Sequence, residues 1–205
     1  MSNGGRVNGW GQSVFARFKG SSAVSVKLNG GGLYYSYRVD NGPWKKILVQ
    51  QGTVTLASNL AKQEEHTLHF GKSDESSYGA MTFSDLVLDH GFTALDPGSP
   101  KLTYEAIGDS ITAGFKVDCH PGGGYPSTAN EDQYETYVSH LADAWGTDDW
   151  SVIARSGIGV GPVAGAGGHN SRGIQGPRVC AAAHAAGGTC SGTSLWRSAG
   201  LTSSR

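Results

Sequence analysis

At Leu95-Asp96-Pro97-Gly98-Ser99-Pro100 the hydrophobic grammar of this 205-residue chain changes, and that break constrains the fold more than any other feature. Two prolines and a glycine cannot extend a strand ladder, so residues 96–100 read as a linker. Before it, apolar and polar residues alternate with period two. Val14, Ala16 and Phe18 alternate with Phe15, Arg17 and Lys19, and Val24, Val26 and Leu28 with Ser25, Lys27 and Asn29. Tyr35, Tyr37 and Val39 alternate with Ser36, Arg38 and Asp40, and Asp40-Asn41-Gly42-Pro43 then turns the chain before Trp44 to Val49. Val54 and Leu56, Leu68 and Phe70, and Met81 and Phe83 continue the pattern. Leu86 and Leu88 fall out of phase with Met81 and Phe83, which predicts a bulge near Ser84-Asp85. Short strands separated by Gly/Asn/Ser clusters predict an antiparallel β-sandwich over residues 1–95, with one wet face per sheet.

After the linker the chain reads as an α/β layer. Leu102 to Ile107 is a short apolar strand running into Gly108-Asp109-Ser110, and a Gly/Pro-rich loop follows through His120-Pro121-Gly122-Gly123-Gly124. Asn130, with Gln133 three residues on, predicts a helix cap. Tyr134, Tyr137, Val138, Leu141, Ala142 and Trp145 then recur at helical spacing, and Gly146 supplies the stop. Ser151 to Ala154 predicts the next strand, ending in Ser156-Gly157. Strand, serine loop, helix and strand form one crossover of a parallel sheet over residues 101–160. Beyond it, residues 161–205 hold no Asp or Glu and show neither period, which predicts a disordered tail.

A net charge of −1 and a pI near 6.6 give no electrostatic footprint for nucleic acid. With mean hydropathy of −0.30 and no apolar run near the roughly 20 residues of a bilayer span, no membrane partner is expected. Cys119, Cys180 and Cys190 are too few and too irregular for a disulfide framework or a zinc site, although Cys180 and Cys190 could pair in an oxidising compartment. Glu131-Asp132 and Asp148-Asp149 read as helix-start electrostatics and a solvated turn rather than as metal ligands. Neither Gly159-Val160-Gly161-Pro162 nor Gly71-Lys72-Ser73 has the context of a nucleotide-binding loop.

The chemistry concentrates at Gly108-Asp109-Ser110. A serine at the carboxyl end of a strand lies where parallel sheets bind ligands, and its hydroxyl can serve as a nucleophile if a base and oxyanion donors accompany it. Gly157, at the end of the next strand, is placed to offer a backbone N–H. The competing reading is an ordinary strand-to-loop turn in which Asp109 and Ser110 cap backbone groups. Tyr35 and Tyr37 read as core, and Tyr34 and Trp44 as candidate sugar-stacking residues.

Five pieces of the chain, in order, carry a family likeness. They are Val14 to Ser22 with Val24 to Leu28; Tyr34 to Gly42; Glu65-His66-Thr67-Leu68; Glu105 to Gly114; and Tyr134 to Leu141 followed by Ser151 to Gly159. This pattern resembles the SGNH (GDSL-type) serine hydrolases and, more narrowly, carbohydrate esterase family two, in which a jelly-roll sandwich precedes a flavodoxin-like SGNH domain. The resemblance implies Ser110 as nucleophile, Asp109 as support for the serine block and Gly157 as an oxyanion donor. It further implies removal of acetyl groups from polysaccharides such as xylan or mannan by a secreted monomer without metal or organic cofactor. Met1-Ser2-Asn3-Gly4-Gly5-Arg6 lacks the apolar core of a secretory leader.

The departures are equally specific. The family's Gly-x-Asn-Asp block and its closing Asp-x-x-His block have no counterpart in this sequence, so the α/β half reads as incomplete and truncated. His120 follows the serine block, His169 and His184 lie in the off-pattern tail, and His66, His69, His90 and His140 read as structural. Weak or absent esterase turnover is therefore expected. The alternatives are a non-catalytic carbohydrate-binding sandwich and an unproductive truncated gene product.

Overall fold

The computed structural model describes residues 5–7, 13–29, 31–80, 82–118 and 128–157. The expected tail, the three cysteines, His120, His169 and His184 lie outside the described residues. Strands β1 (Gly5–Val7), β2 (Ser13–Lys19), β3 (Ala23–Asn29), β4 (Leu33–Val39), β5 (Lys45–Val49), β6 (Gly52–Ser58), β7 (Glu65–Lys72), β8 (Thr82–Leu88) and β9 (Thr93–Leu95) come first. They form two antiparallel sheets, one in the order β1-β2-β7-β4-β5 with β9 also on β2, the other in the order β6-β3-β8.

Alternation decides what lies between the sheets. Phe18, Leu68, Phe70, Tyr35, Tyr37 and Val49 from the larger sheet meet Val24, Val26, Leu28 and Leu56 from the smaller. Each such side chain contributes about 1.5–3 kcal/mol by leaving water. The ring of Phe70 stacks on Tyr35 at 4.8 Å, so these two tyrosines are core residues, as their phase predicts. The expected bulge is present. Lys27 pairs with Asp85 but Leu28 with Phe83, which leaves Ser84 unpaired and restores Leu86 and Leu88 to the inner face.

One expectation fails instructively. The smaller sheet has a wet outer face, with Lys27, Asn29, Thr53 and Thr55 exposed. The outer face of the larger sheet is dry over its middle, where Phe15, Ser36 and His69 are buried, and wet at its margins, where Lys19, Glu65 and Leu48 are exposed. Phe15 shares the phase of Arg17 and would face solvent in a free-standing sandwich. It is covered because the C-terminal segment packs there.

That segment comprises β10 (Thr103–Gly108), a one-turn helix α1 (Ser110–Ala113), two 3₁₀ turns (Thr128–Asn130 and Gln133–Glu135), α2 (Tyr137–Trp145) and β11 (Asp149–Ala154). β10 and β11 pair in parallel, as a crossover requires. Their core is Ala106, Tyr134, Val138, Ala142, Trp150 and Val152, with Trp44 of the sandwich packed against it. The cap predicted at Asn130 is displaced. Asp132 caps the second 3₁₀ turn, and Thr136 caps α2 by accepting from the Val138 N–H at 3.2 Å. Gly146 does end the helix, in the left-handed conformation with its N–H returned to the last turn.

Candidate active site

Both strands of the parallel pair end on one rim. Gly108 sits opposite Ala154, and the Arg155 N–H donates to the Gly108 carbonyl at 3.3 Å, so the ladder holds to the last strand residue. Ser110 lies just beyond one strand end and Gly157 just beyond the other. At Gly108 the chain reverses so tightly that a Cβ would lie 2.0 Å from Thr112 Oγ1 and 2.8 Å from Thr112 Cβ. Only glycine lets α1 fold directly back over the strand that leads into it. Asp109 caps this turn, its Oδ1 accepting from the Ile111 N–H at 3.0 Å. Ser110 is consequently the first helical residue and is half-buried. Thr112 Oγ1 shares a 3.0 Å hydrogen bond with the Tyr137 hydroxyl, which ties the serine turn to α2.

Ser156 and Gly157 form a turn beside it. Gly157 has φ of +81°, a left-handed conformation, and among the described residues nothing lies within 4 Å of where its Cβ would be. That conformation by itself favours glycine there. Ser156 does not hang free: its N–H donates to Glu75 Oε2 at 3.0 Å and its hydroxyl donates to Glu75 Oε1. Glu75 belongs to the sandwich, in the loop after β7.

The same seam holds an unusual density of buried polar groups. Glu131, wholly buried, accepts from the Glu75 N–H at 3.2 Å and the Tyr78 hydroxyl at 3.2 Å. Asp132 accepts from Ser36 Oγ at 2.7 Å and from the Tyr134 N–H at 2.9 Å. Lys46 reaches across from β5 to Asp118 and to the Ala129 carbonyl, each at 2.9 Å. Burial raises the Asp132 carboxyl from its ordinary value to about 7, against the hydrogen bonds that favour its charged form. Burial also raises Asp74 and Glu131, with Lys72 opposing it at Asp74. The reading of Glu131-Asp132 as helix-start charges holds for Asp132, which caps the Gln133–Glu135 turn, and is corrected for Glu131, whose carboxyl is buried against the Glu75 N–H and the Tyr78 hydroxyl.

An aromatic ladder crosses the same seam. Phe15 meets His69 at 4.6 Å, Trp44 stacks on His69 at 5.8 Å, Tyr134 contacts Trp44 at 4.4 Å, and Trp150 meets Tyr134 at 5.1 Å. Arg38 lies 4.7 Å above Trp44 while bonding Asp143 at 2.6 Å. Trp44, a candidate sugar-stacking residue by sequence, is thus half-buried and packed on His69 and Tyr134, and Lys46 stands 5.1 Å over the ring of Tyr34.

Ser110, Asp109 and Gly157 accordingly lie at one rim, whereas among the described residues no histidine is hydrogen-bonded to Ser110. His66 is held by Asp40 Oδ2 at 2.9 Å and by the Ala61 carbonyl at 3.0 Å, and His69 lies among aromatic rings. His90 and His140 are exposed. Among the described residues no cluster of three or more His, Cys, Asp or Glu could hold a metal ion, and no helix is long and apolar enough to cross a membrane. Gly71-Lys72-Ser73 is no phosphate loop, since the Lys72 ammonium is engaged by Asp74. Sequence reasoning missed Glu75 and Lys46. The only signal was the placement of ionisable residues in short non-periodic connections.

Comparison with known proteins points to one family. Residues 2–97 match the family described as "Carbohydrate esterase 2 N-terminal". The chain is 29% identical over 160 residues to the cellulase/esterase CelE of Acetivibrio thermocellus, covering 77% of this chain and 19% of that protein. The solved family two carbohydrate esterase from Clostridium thermocellum, in complex with cellohexaose, is 27% identical with a TM-score of 0.61 over 77% of this chain and 47% of its own. A carbohydrate esterase family 2 enzyme from Corynascus thermopiles (Myceliophthora fergusii) is also 27% identical, with a TM-score of 0.59 over 77% of this chain and 50% of its own. The chain therefore spans about half the length of these solved relatives. A sandwich matching the family's N-terminal domain, followed by a serine-bearing parallel strand pair, makes this a carbohydrate esterase family two-like chain.

Proposed function

We propose that the chain carries the serine site of a carbohydrate esterase acting on acetylated polysaccharide such as xylan or mannan. In this reading residues 1–95 form a jelly-roll sandwich, 96–100 a linker and 101–160 the opening of a flavodoxin-like SGNH domain. The observation that supports the reading is the shared rim, at which two paired parallel strands end, one just before Ser110 and the other just before Gly157. Ser110 Oγ attacks the acetyl carbonyl, its proton passes to a base, and the negative charge forming on the carbonyl oxygen is received by the Ser110 and Gly157 N–H groups. The sugar-bound oxygen leaves with a proton, and water then releases acetate from the serine.

Turnover by this 205-residue sequence is weak, because the Gly-x-Asn-Asp and Asp-x-x-His blocks are absent from it. Serine hydrolases deprived of a triad member retain only about 10³–10⁴-fold acceleration over water, from the oxyanion hole and binding. The test is hydrolysis of p-nitrophenyl acetate by the chain and by Ser110→Ala. A rate that falls to background in the variant supports the proposal, and equal rates reject it. A non-catalytic carbohydrate-binding role would instead show as binding to acetylated xylan without Ser110-dependent turnover.

A further inference from the structure

The turn that bears Gly157 is held from outside its own fold. Ser156 is anchored through its backbone N–H and through its hydroxyl, and both anchors are oxygens of one side chain, Glu75. That two-point grip fixes φ and χ1 of Ser156, so the carbonyl carbon from which the Gly157 peptide departs is held in place and only rotation about Ser156 ψ is left to aim the Gly157 N–H. Glu75 is itself immobilised. Its N–H donates to buried Glu131, its carbonyl accepts from Lys72 Nζ and from the Tyr78 N–H, and its side chain is buried. The grip spans 81 residues of sequence and joins the sandwich to the rim of the parallel strands. Nothing in the sandwich needs this bond for its own core, whose side chains are apolar and lie on the far face of the sheet.

We propose that Glu75 is a positioning residue that sets the Gly157 oxyanion donor, so that the sandwich is a working part of the esterase site rather than a separate module. This rests on the esterase reading above. An oxyanion donor is effective only when its N–H is aimed at where the charge develops, and a misplacement of about 1 Å can cost on the order of 10²-fold. Glu75→Ala removes both anchors. Glu75→Gln keeps one acceptor for the Ser156 N–H and offers an amide N–H to the hydroxyl, which can accept it.

The experiment measures p-nitrophenyl acetate hydrolysis and amide hydrogen exchange on the full chain. Glu75→Ala is expected to lower the Ser110-dependent kcat about tenfold or more with KM changed less than about twofold, and Glu75→Gln to recover most of it. Exchange at Ser156 is expected to quicken about tenfold in Glu75→Ala while the amides of Val24–Leu28 stay as in the parent. A kcat equal to the parent's, a loss confined to KM, or unchanged exchange at Ser156 would overturn the proposal. Equal rates for the parent and Ser110→Ala retire the esterase reading instead; Ser156 exchange then decides by itself whether Glu75 grips the turn.

Discussion

Between the two sheets lie Phe18, Val24, Val26, Leu68 and Phe70; across the outer face of the larger sheet lie Ser36, Lys46, Glu75, Glu131 and Asp132. One interface is made by the hydrophobic effect and the other by hydrogen bonds around an aromatic ladder, in which buried Trp44 Nε1 and Asp74 Oδ2 have no hydrogen-bond partner among the described residues. The difference teaches how each responds to damage. An apolar core loses stability in proportion to the area and cavity created. A buried polar seam holds only while its donors and acceptors stay paired, and an orphaned group costs about 1–3 kcal/mol.

Phe70→Ala attacks the first interface and carries the largest expected effect, about 3–5 kcal/mol off the unfolding free energy in urea melts. A loss below about 1 kcal/mol would mean that the inter-sheet core is not what sustains the sandwich. Trp44→Ala attacks the second. It removes the ring between His69 and Tyr134 and is expected to cost about 2 kcal/mol. The loss should release the C-terminal segment first, seen as early proteolysis near residues 128–157 while β3 amides remain protected. Simultaneous loss of both regions would break the comparison.

Proton linkage sharpens it further. Asp132 titrates near 7 when folded and near 3.8 when unfolded, so between those values the folded chain holds a proton that the unfolded chain has released. Stability from this group is therefore greatest below the unfolded value, declines as pH rises through the window, and is flat above about 7. Asp74 and Glu131 are shifted in the same direction. Melting temperatures should be higher at about pH 5 than at about pH 8, and Asp132→Asn should flatten the slope. A slope unchanged by that substitution would remove Asp132 as its source. The smallest effect belongs to the exposed pair Arg17–Glu65, 2.8 Å apart. Arg17→Met should change stability by less than about 1 kcal/mol, and addition of salt should reduce even that.

These two interfaces were unequally legible in the sequence. Period-two runs such as Val24, Val26 and Leu28 announce a buried strand face because side-chain direction alternates with the pleat. The phase slip between Phe83 and Leu86 likewise announced its bulge. The serine turn was legible because a strand end, Gly108 and a left-handed Gly114 leave little conformational choice. The seam was not legible. Ser36 and Arg38 look like solvent-facing residues, and their burial depends on a partner more than 90 residues away in sequence. Asn130 and Gln133 imitate a cap, but Asp132 and Thr136 offer nearer side-chain acceptors, so the helix starts later. Glu75 carries no local mark of its role, because that role exists only once Ser156 arrives beside it.

The unpaired Ser84 has a consequence for how the chain tolerates change. Its side chain is exposed, so replacing it with most other residues should pass unnoticed. Deleting it would remove only the residue that has no partner on β3: Phe83, Asp85, Leu86, Val87 and Leu88 would then alternate regularly against Leu28 to Val24, with Leu86 and Leu88 still turned to the core. At this position the strand can spare length as well as identity.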